Sequence, residues 1–425
     1  MQVKREPAAA LRFVEFVTLI AALMATQALA IDAMIPAFPI IVKELHVANE
    51  NHGQYILTAY MVGLGIGQLF WGVMSDRFGR RPVLLCGLAL YVIAAVLCGS
   101  TNSFHALLTW RFIHGLAAAS VTVSRSVVRD LYSGRHMARV MSLTFVVFLM
   151  VPVLAPSMGQ LILLVGPWRG IFIACGIFAS VVWVWIVLRL KETLHPEYRM
   201  VLTRGHIAAA AKVVVGDPAS LWYTLALTVM FGSIMAYVGM VQQIFAEVFH
   251  RGNLMPIMFA LCAGTMGVGA FLNSRIVERL GTRLISHTAL LCFIGISAVH
   301  LLVAVLGMEQ LWTFVVFQAA GMAAFSLSVS NFGAMAMEPI GAVAGIGASL
   351  QGFVSTFGGA LVGALIGRLF SGSTVPYAGG VLACGLLALV FVLLAERGRL
   401  FQAHHAPSTG GGADGGVPAE SFGMH

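Results

Sequence analysis

Apolar residues run through this chain in long blocks that do not alternate. No Asp, Glu, Lys or Arg occurs from Asn51 to Ser75 or from Pro82 to Trp110, and between them GVMSDRFGRRP packs four charges into six residues. Charge-poor runs of this kind recur at about 13–34, 54–74, 82–101, 106–128, 138–165, 168–188, 221–245, 254–274, 285–306, 311–334, 341–367 and 376–395. Each is near the ~20 residues that a helix needs to cross the hydrocarbon core. A membrane β-barrel would show alternating segments of about 10 residues instead. Helices satisfy their own backbone polar groups in lipid, so the pattern predicts an all-α integral membrane protein of twelve transmembrane helices.

Composition agrees and charge adds orientation. The 425 residues are 59% hydrophobic and 10% charged, against roughly 25% charged in soluble domains. Of the 25 Lys and Arg, nineteen fall in the terminal tails and even-to-odd loops, and four (Lys43, Arg169, Arg251 and Arg368) fall on the opposite side. The positive-inside rule then places both termini in the cytoplasm. The net charge of +8 is thereby accounted for by topology, without a nucleic-acid partner. The six cysteines lie in or beside apolar spans without metal-ligand spacing, and are expected to be buried free thiols. Ala28-Leu29-Ala30 looks like a signal-peptidase site, but a secretory apolar core is only about 7–15 residues long, so span 1 is expected to remain as an uncleaved helix.

The spans divide six and six around one long polar interruption. The expected units are 1–190, a first six-helix bundle; 191–220, a cytoplasmic linker whose HIAAAAKVVV could form a short interfacial helix; 221–397, a second bundle; and 398–425, a Gly-rich disordered tail. His404 and His405 in that tail are not expected to hold a metal. The halves repeat: shifted by 202 residues, SDRFGRR (75–81) lies on VERLGTR (277–283), which aligns Asp76, Arg77, Gly79 and Arg81 with Glu278, Arg279, Gly281 and Arg283. Parallel six-span repeats are a transporter architecture with a binding site between the halves.

These residues resemble a family. The loop Gly72-x-x-Ser-Asp76-Arg77-Phe-Gly79-Arg80-Arg81 is similar to the loop motif of the major facilitator superfamily, LLTWRFIHGLAAAS with Arg111 and Gly115 to its fourth-helix motif, and LAPSMGQ with Pro156 and Gly159 to its antiporter motif. IDAMIPAFP and SRSVVRDLY look more narrowly like the bicyclomycin/chloramphenicol-resistance branch of proton-coupled drug exporters. The resemblance implies two pseudo-symmetric six-helix bundles working by alternating access, with spans 2 and 11 and spans 5 and 8 along the seam. It implies proton-coupled multidrug efflux from the bacterial inner membrane, by a chain that acts as a monomer on small-molecule substrates. A proton-coupled importer of a sugar or organic ion is the alternative, and direction of flux separates the two.

Asp32 is the most informative single residue, because a carboxyl inside an apolar helix is expensive and marks function. Arg111 lies at comparable height in span 4 and is its expected partner, with His114 one turn below as a possible relay; a static ion pair is the competing reading. Glu15 is read as a boundary residue near the headgroups. For the loop, the resemblance places Asp76 against the N-terminus of span 11 near Arg125 and Arg129, as a latch between the halves. Tyr60, Tyr237, Gln242, Asn331 and Gln351 are candidates to line a cavity, although each alone is more often a helix–helix hydrogen bond. Pro152 and Pro156 would bend span 5. Gly63 and Gly67, and Gly359, Gly363 and Gly367, are spaced for close helix approach. No phosphate-cradling or zinc motif occurs, so no enzyme and no cofactor are expected, and a proton gradient rather than ATP is the implied energy source.

Overall fold

The computed structural model describes residues 12–132, 134–195, 197, 212 and 215–401. The 191–220 linker falls largely, and the 398–425 tail mostly, outside the described residues. Among the described residues twelve long helices follow one another: α1 (Phe13–Asp32), α2 (Gln54–Phe78), α3 (Arg80–Ser100), α4 (Phe104–Ala118), α5 (Gly134–Val165), α6 (Arg169–Arg189), α7 (Pro218–Gln243), α8 (Met255–Leu280), α9 (Thr282–Val305), α10 (Leu311–Met337), α11 (Ala344–Arg368) and α12 (Val375–Ala395). Among the described residues, eleven crossings are long and apolar enough for a bilayer, and α5 contributes the apolar stretch Met150–Val165 as well. Large aliphatic side chains such as Ile173, Ile177, Val181 and Leu188 of α6 stand exposed on the outside. Lipid tails are as apolar as these side chains, so such a surface costs nothing in a membrane.

Most helices extend a few residues past the charge-poor runs, because a helix need not stop where the hydrocarbon does. The SDRF of the charged loop is therefore the last turn of α2, and the reversal into α3 rests on Gly79 alone, at φ 105° and ψ 160°. Gly281 makes the same turn between α8 and α9 at φ 79° and ψ 157°. Positive φ of this kind is open to glycine and strained for other residues, so the sequence repeat is also a repeat of backbone geometry.

Helices α1–α6 form one group and α7–α12 the other, meeting where α2 lies against α11 and α5 against α8, as the resemblance implied. The glycine spacings serve different neighbours than a seam alone would need. A Cβ on Gly63 would lie 2.0 Å from the Phe112 carbonyl oxygen, and one on Gly67 2.6 Å from that of Leu116, both in α4. Gly359 and Gly363 abut Phe231 and Met235 of α7 in their own half, while Gly367 admits the side chain of Gln54 from the other half. Four of the six cysteines are buried free thiols, but Cys86 and Cys292 are exposed. Alternate helix faces explain this, since composition places a residue in a span without saying which way it points.

Candidate functional site in the helix bundle

Asp32 is the last residue of α1, where the helix breaks before a tight turn at Ile35–Ala37 that contains Pro36. Proline cannot donate to the ladder, so the chain is interrupted beside a buried carboxyl. Asp32 is 6% exposed and has no hydrogen bond or ion pair among the described residues. α5 packs onto this break: a Cβ on Gly159 would sit 2.0 Å from the Ala33 carbonyl oxygen. Pro152 and Pro156 lie inside α5, whose helix continues through both; Pro156 and Gly159 are buried. The LAPSMGQ stretch is thus the surface that lets α5 touch the backbone next to Asp32.

Arg111 is fully buried, and its expected pairing with Asp32 does not form. Its Nη2 donates to the Ala30 carbonyl at 3.2 Å and its Nε to that of Ile56 at 3.2 Å, while Nη1 lies 3.3 Å from Nδ1 of His114. The guanidinium centre stands 4.4 Å from the Tyr60 ring centroid. The last turn of a helix leaves carbonyls without partners, and the break in α1 brings Ala30's within reach of a five-donor side chain. Arg111 therefore caps α1 and ties it to α2, two residues short of the carboxylate. His114 is buried beside the rings of Tyr91 and Tyr60 at 4.1 and 5.5 Å; its Nε2 has no hydrogen-bond partner among the described residues. Tyr60 itself donates to the Gln27 carbonyl at 3.2 Å.

The remaining cavity candidates separate. Asn331 donates at 2.8 Å to both Asn273 Oδ1 and the Leu327 carbonyl, a bond between α10 and α8. Gln351 reaches the Gly333 carbonyl at 3.4 Å, and Tyr237 stacks on Phe259 at 5.5 Å. Gln242 is displaced in this role by its neighbour. Gln243 accepts from Gln54 Nε2 at 3.4 Å and donates to Asn51 Oδ1 at 3.1 Å. Gln54 also donates to the Gly367 carbonyl and Asn51 to the Phe370 carbonyl, both at 3.0 Å. These four bonds join the halves at the end of the bundle far from the termini, here called the distal end. One residue along a helix turns about 100°, enough to aim Gln243 across the interface and Gln242 away from it.

At the end nearer the termini, Asp76 lies within its own half. Its carboxylate accepts from Arg80 at 2.5 Å, and Arg80 also reaches Asp130 Oδ2 at 3.1 Å and Ser75 Oγ at 2.8 Å. The carboxylate of Glu192 accepts the Arg80 and Arg81 amides at 2.9 and 3.2 Å, cradling the start of α3. Arg81 donates to the Val187 carbonyl. Arg77, Arg125 and Arg129 are exposed, and the side chains of residues 341–346 at the start of α11 lie outside the description. Gly72 does face α11: its Cβ would lie 3.3 Å from Ser349 Oγ. Glu15 pairs with Arg189 of α6 at 2.7 Å rather than reaching only to headgroups. Asp130 and Glu192 were missed by sequence reasoning, although Asp130 stands inside the SRSVVRDLY stretch that carries the resemblance. Among the described residues no cluster of three metal-ligating side chains occurs.

Two six-helix groups joined along two helix pairs, with a carboxyl buried at a helix break and an arginine buried against the same turn, define a membrane transporter of the two-repeat kind. The chain belongs to the Major Facilitator Superfamily, whose family profile matches residues 19–363, and this is a family of transporters, not enzymes. An uncharacterized MFS-type transporter, YdgK of Bacillus subtilis, is 31% identical over 344 residues, covering 79% of this chain and 84% of that protein. A bicyclomycin resistance protein homolog of Haemophilus influenzae is 28% identical over 370 residues, covering 86% and 92%. The multidrug resistance protein MdtL of Escherichia coli is 27% identical over 383 residues, covering 88% and 94%. Among solved structures, the human organic anion transporter MFSD10 superposes with a TM-score of 0.67 at 19% identity, over 91% of this chain and all of that one. A peptide transporter gives 0.72 at 14% identity, over 90% and 94%. These two share the fold.

Proposed function

We propose that the chain is a proton-driven antiporter that exports small, mostly apolar compounds across the bacterial inner membrane by alternating access. The observation that carries this reading is Asp32: a buried carboxyl at a helix break, free of an ion pair among the described residues, against which the Gly159 surface of α5 closes. A carboxylate locked to an arginine would stay ionised. One without such a partner can bind a proton when its side of the membrane is open and surrender it on the other. Arg111 is the positioning residue, since it holds the last turn of α1 through Ala30, and His114 stands next to it for relay. The names of the relatives in Haemophilus and Escherichia support a drug substrate, and the likeness of LAPSMGQ, with Pro156 and Gly159, to the antiporter motif favours antiport over sugar or organic-ion import.

In this reading both termini are cytoplasmic, the distal end faces outward, and Asp76, Gly72 and the loop arginines Arg77, Arg80 and Arg81 serve the cytoplasmic gate with Arg125 and Arg129. The units are 1–190 and 221–397, each a six-helix bundle, in a monomer that draws on the proton gradient and no cofactor. Transport into inverted vesicles tests it. Asp32→Asn should lose proton-driven uptake; uptake that persists undiminished and still varies with pH ends the reading.

A further inference from the structure

A second buried ionisable pair lies far from Asp32, in the other half. His300, near the distal end of α9, places Nε2 at 2.5 Å from Oε1 of Glu309, with the two side chains only 5% and 6% exposed. The second carboxylate oxygen accepts from the hydroxyl of Thr374, the residue that caps α12. Thus α9, the segment before α10 and the start of α12 converge on one carboxylate. The imidazole is stacked on Phe317 at 5.2 Å and edges against Phe314 and Tyr377 at 5.5 and 6.2 Å. It also borders a small pocket shared with Ser297, Gln318 and Tyr377.

We propose that His300 and Glu309 form a second proton-binding site, whose loaded state is the one the closed distal end buries. With a neutral imidazole the pair carries a net negative charge; with one added proton it is an imidazolium–carboxylate pair of zero net charge. Burying a net charge costs far more than burying a matched, hydrogen-bonded pair, so proton loss favours a conformation in which water reaches the site. The structure links that event to the gate. Thr374 and Phe370 are the two ends of a five-residue loop, Phe370-Ser371-Gly372-Ser373-Thr374, and Asn51 of the opposite half grips the Phe370 carbonyl. Releasing Thr374 from Glu309 frees the loop that Asn51 holds. From the packed elements the titratable groups facing the pair are the Tyr377 phenol, bonded to Gln318 Oε1 at 2.5 Å, and behind it Tyr237. The arginines of this end, Arg251 and Arg368, are exposed.

The inference does not require Asp32 to be the coupling acid, and its test is a conformational one made without transport. Spin labels on Ala48→Cys and Leu306→Cys, one distal loop in each half, report closure by distance in the full-length protein in lipid nanodiscs, with Cys86 and Cys292 replaced by Ser and Asp32→Asn as background. Lowering pH from about 8 to 5, the window in which imidazoles change charge, should raise the closed-to-open ratio by about tenfold. His300→Gln removes the imidazole that takes up the proton and should leave the distal end open-weighted at pH 8, with the response to acid shifted in midpoint or lost. Glu309→Gln removes that charge, keeps an acceptor for Thr374, and should hold it closed-weighted at both. Two variants with opposite signs distinguish a charge effect from a folding defect. A pH response unchanged by His300→Gln, a shift of both variants in the same direction, or no pH response in the Asp32→Asn background overturns the proposal.

Discussion

Arg80 apart, the N-terminal half buries its charged and histidine side chains deep in the bundle, whereas the C-terminal half buries them at its rims. Asp32, Arg111 and His114 sit where helices break or cross. In the second half, Arg283 meets Glu396 at 2.8 Å and Glu338 at 3.7 Å, Tyr223 donates to Glu396 at 2.5 Å, and His300 meets Glu309 at the opposite end. The repeated loops show how the halves parted. Both turn on a positive-φ glycine, yet position 80 is Arg and its counterpart 282 is Thr. Asp76 therefore has a partner four residues on, and Glu278 is exposed, with no ion pair among the described residues. Arg283, aligned with Arg81, takes over the two-acid role that Arg80 plays. A repeat can keep its backbone turn while the charge that uses it moves by one residue.

The largest expected effect tests the deeply buried set. Asp32→Asn should cut proton-driven transport by about a hundredfold, equivalent to about 2.7 kcal/mol of barrier, while Glu396→Gln should leave pH-dependence of transport in place. Arg111→Leu should come next: it strands the Ala30 carbonyl at the break in α1, at about 1–3 kcal/mol for a buried group left unsatisfied, read as a lower thermal midpoint in detergent. The absence of a direct ion pair sharpens this. In a double-mutant cycle for thermal stability, Asp32→Asn and Arg111→Lys should couple by less than about 0.5 kcal/mol, as residues that share no bond do; a larger coupling would restore the static-pair reading.

Smaller effects test the repeat. Gly79→Ala should cost more than Gly281→Ala, because both bear the backbone strain of about 1–3 kcal/mol but only at Gly79 would a Cβ collide, at 2.4 Å, with the Glu192 carboxylate. Equal losses in thermal midpoint would show that the cradle on the α3 amides adds nothing. Smallest of all, Glu278→Ala should change stability by no more than about 0.5 kcal/mol, whereas Asp76→Ala takes a bond from the nearly buried Arg80.

Much of this was legible in the residues. Charge-poor runs anticipated the twelve described helices, since hydrocarbon disfavours charge whatever the tertiary packing, and the offset of 202 located the positive-φ glycine of each repeated loop. The isolated Asp32 announced itself by cost alone. What stayed hidden depended on direction. Arg111 and Asp32 do not bond, because the Ala30 carbonyl at the break in α1 and the Ile56 carbonyl of α2 compete for the guanidinium and carry no mark in the sequence. Gln243 rather than Gln242 crosses the interface, a matter of one helical step. Glu309 and Thr374 lie 65 residues apart in ordinary-looking loops, and no motif brings them together.

The bonds that close the distal end are made by Asn51, Gln54 and Gln243 with one another and with two backbone carbonyls, all of them neutral. Ions in solution screen exposed charges over about 8–10 Å at ordinary salt, and they leave amide–carbonyl contacts nearly untouched. The ion pairs at the opposite end, Arg80 with Asp76 and Asp130 and Arg283 with Glu338, have no such protection where they reach water. In the proposed orientation the distal end is the outer one, so the neutral seal would stand on the side where salinity swings and the ion pairs on the side where it does not.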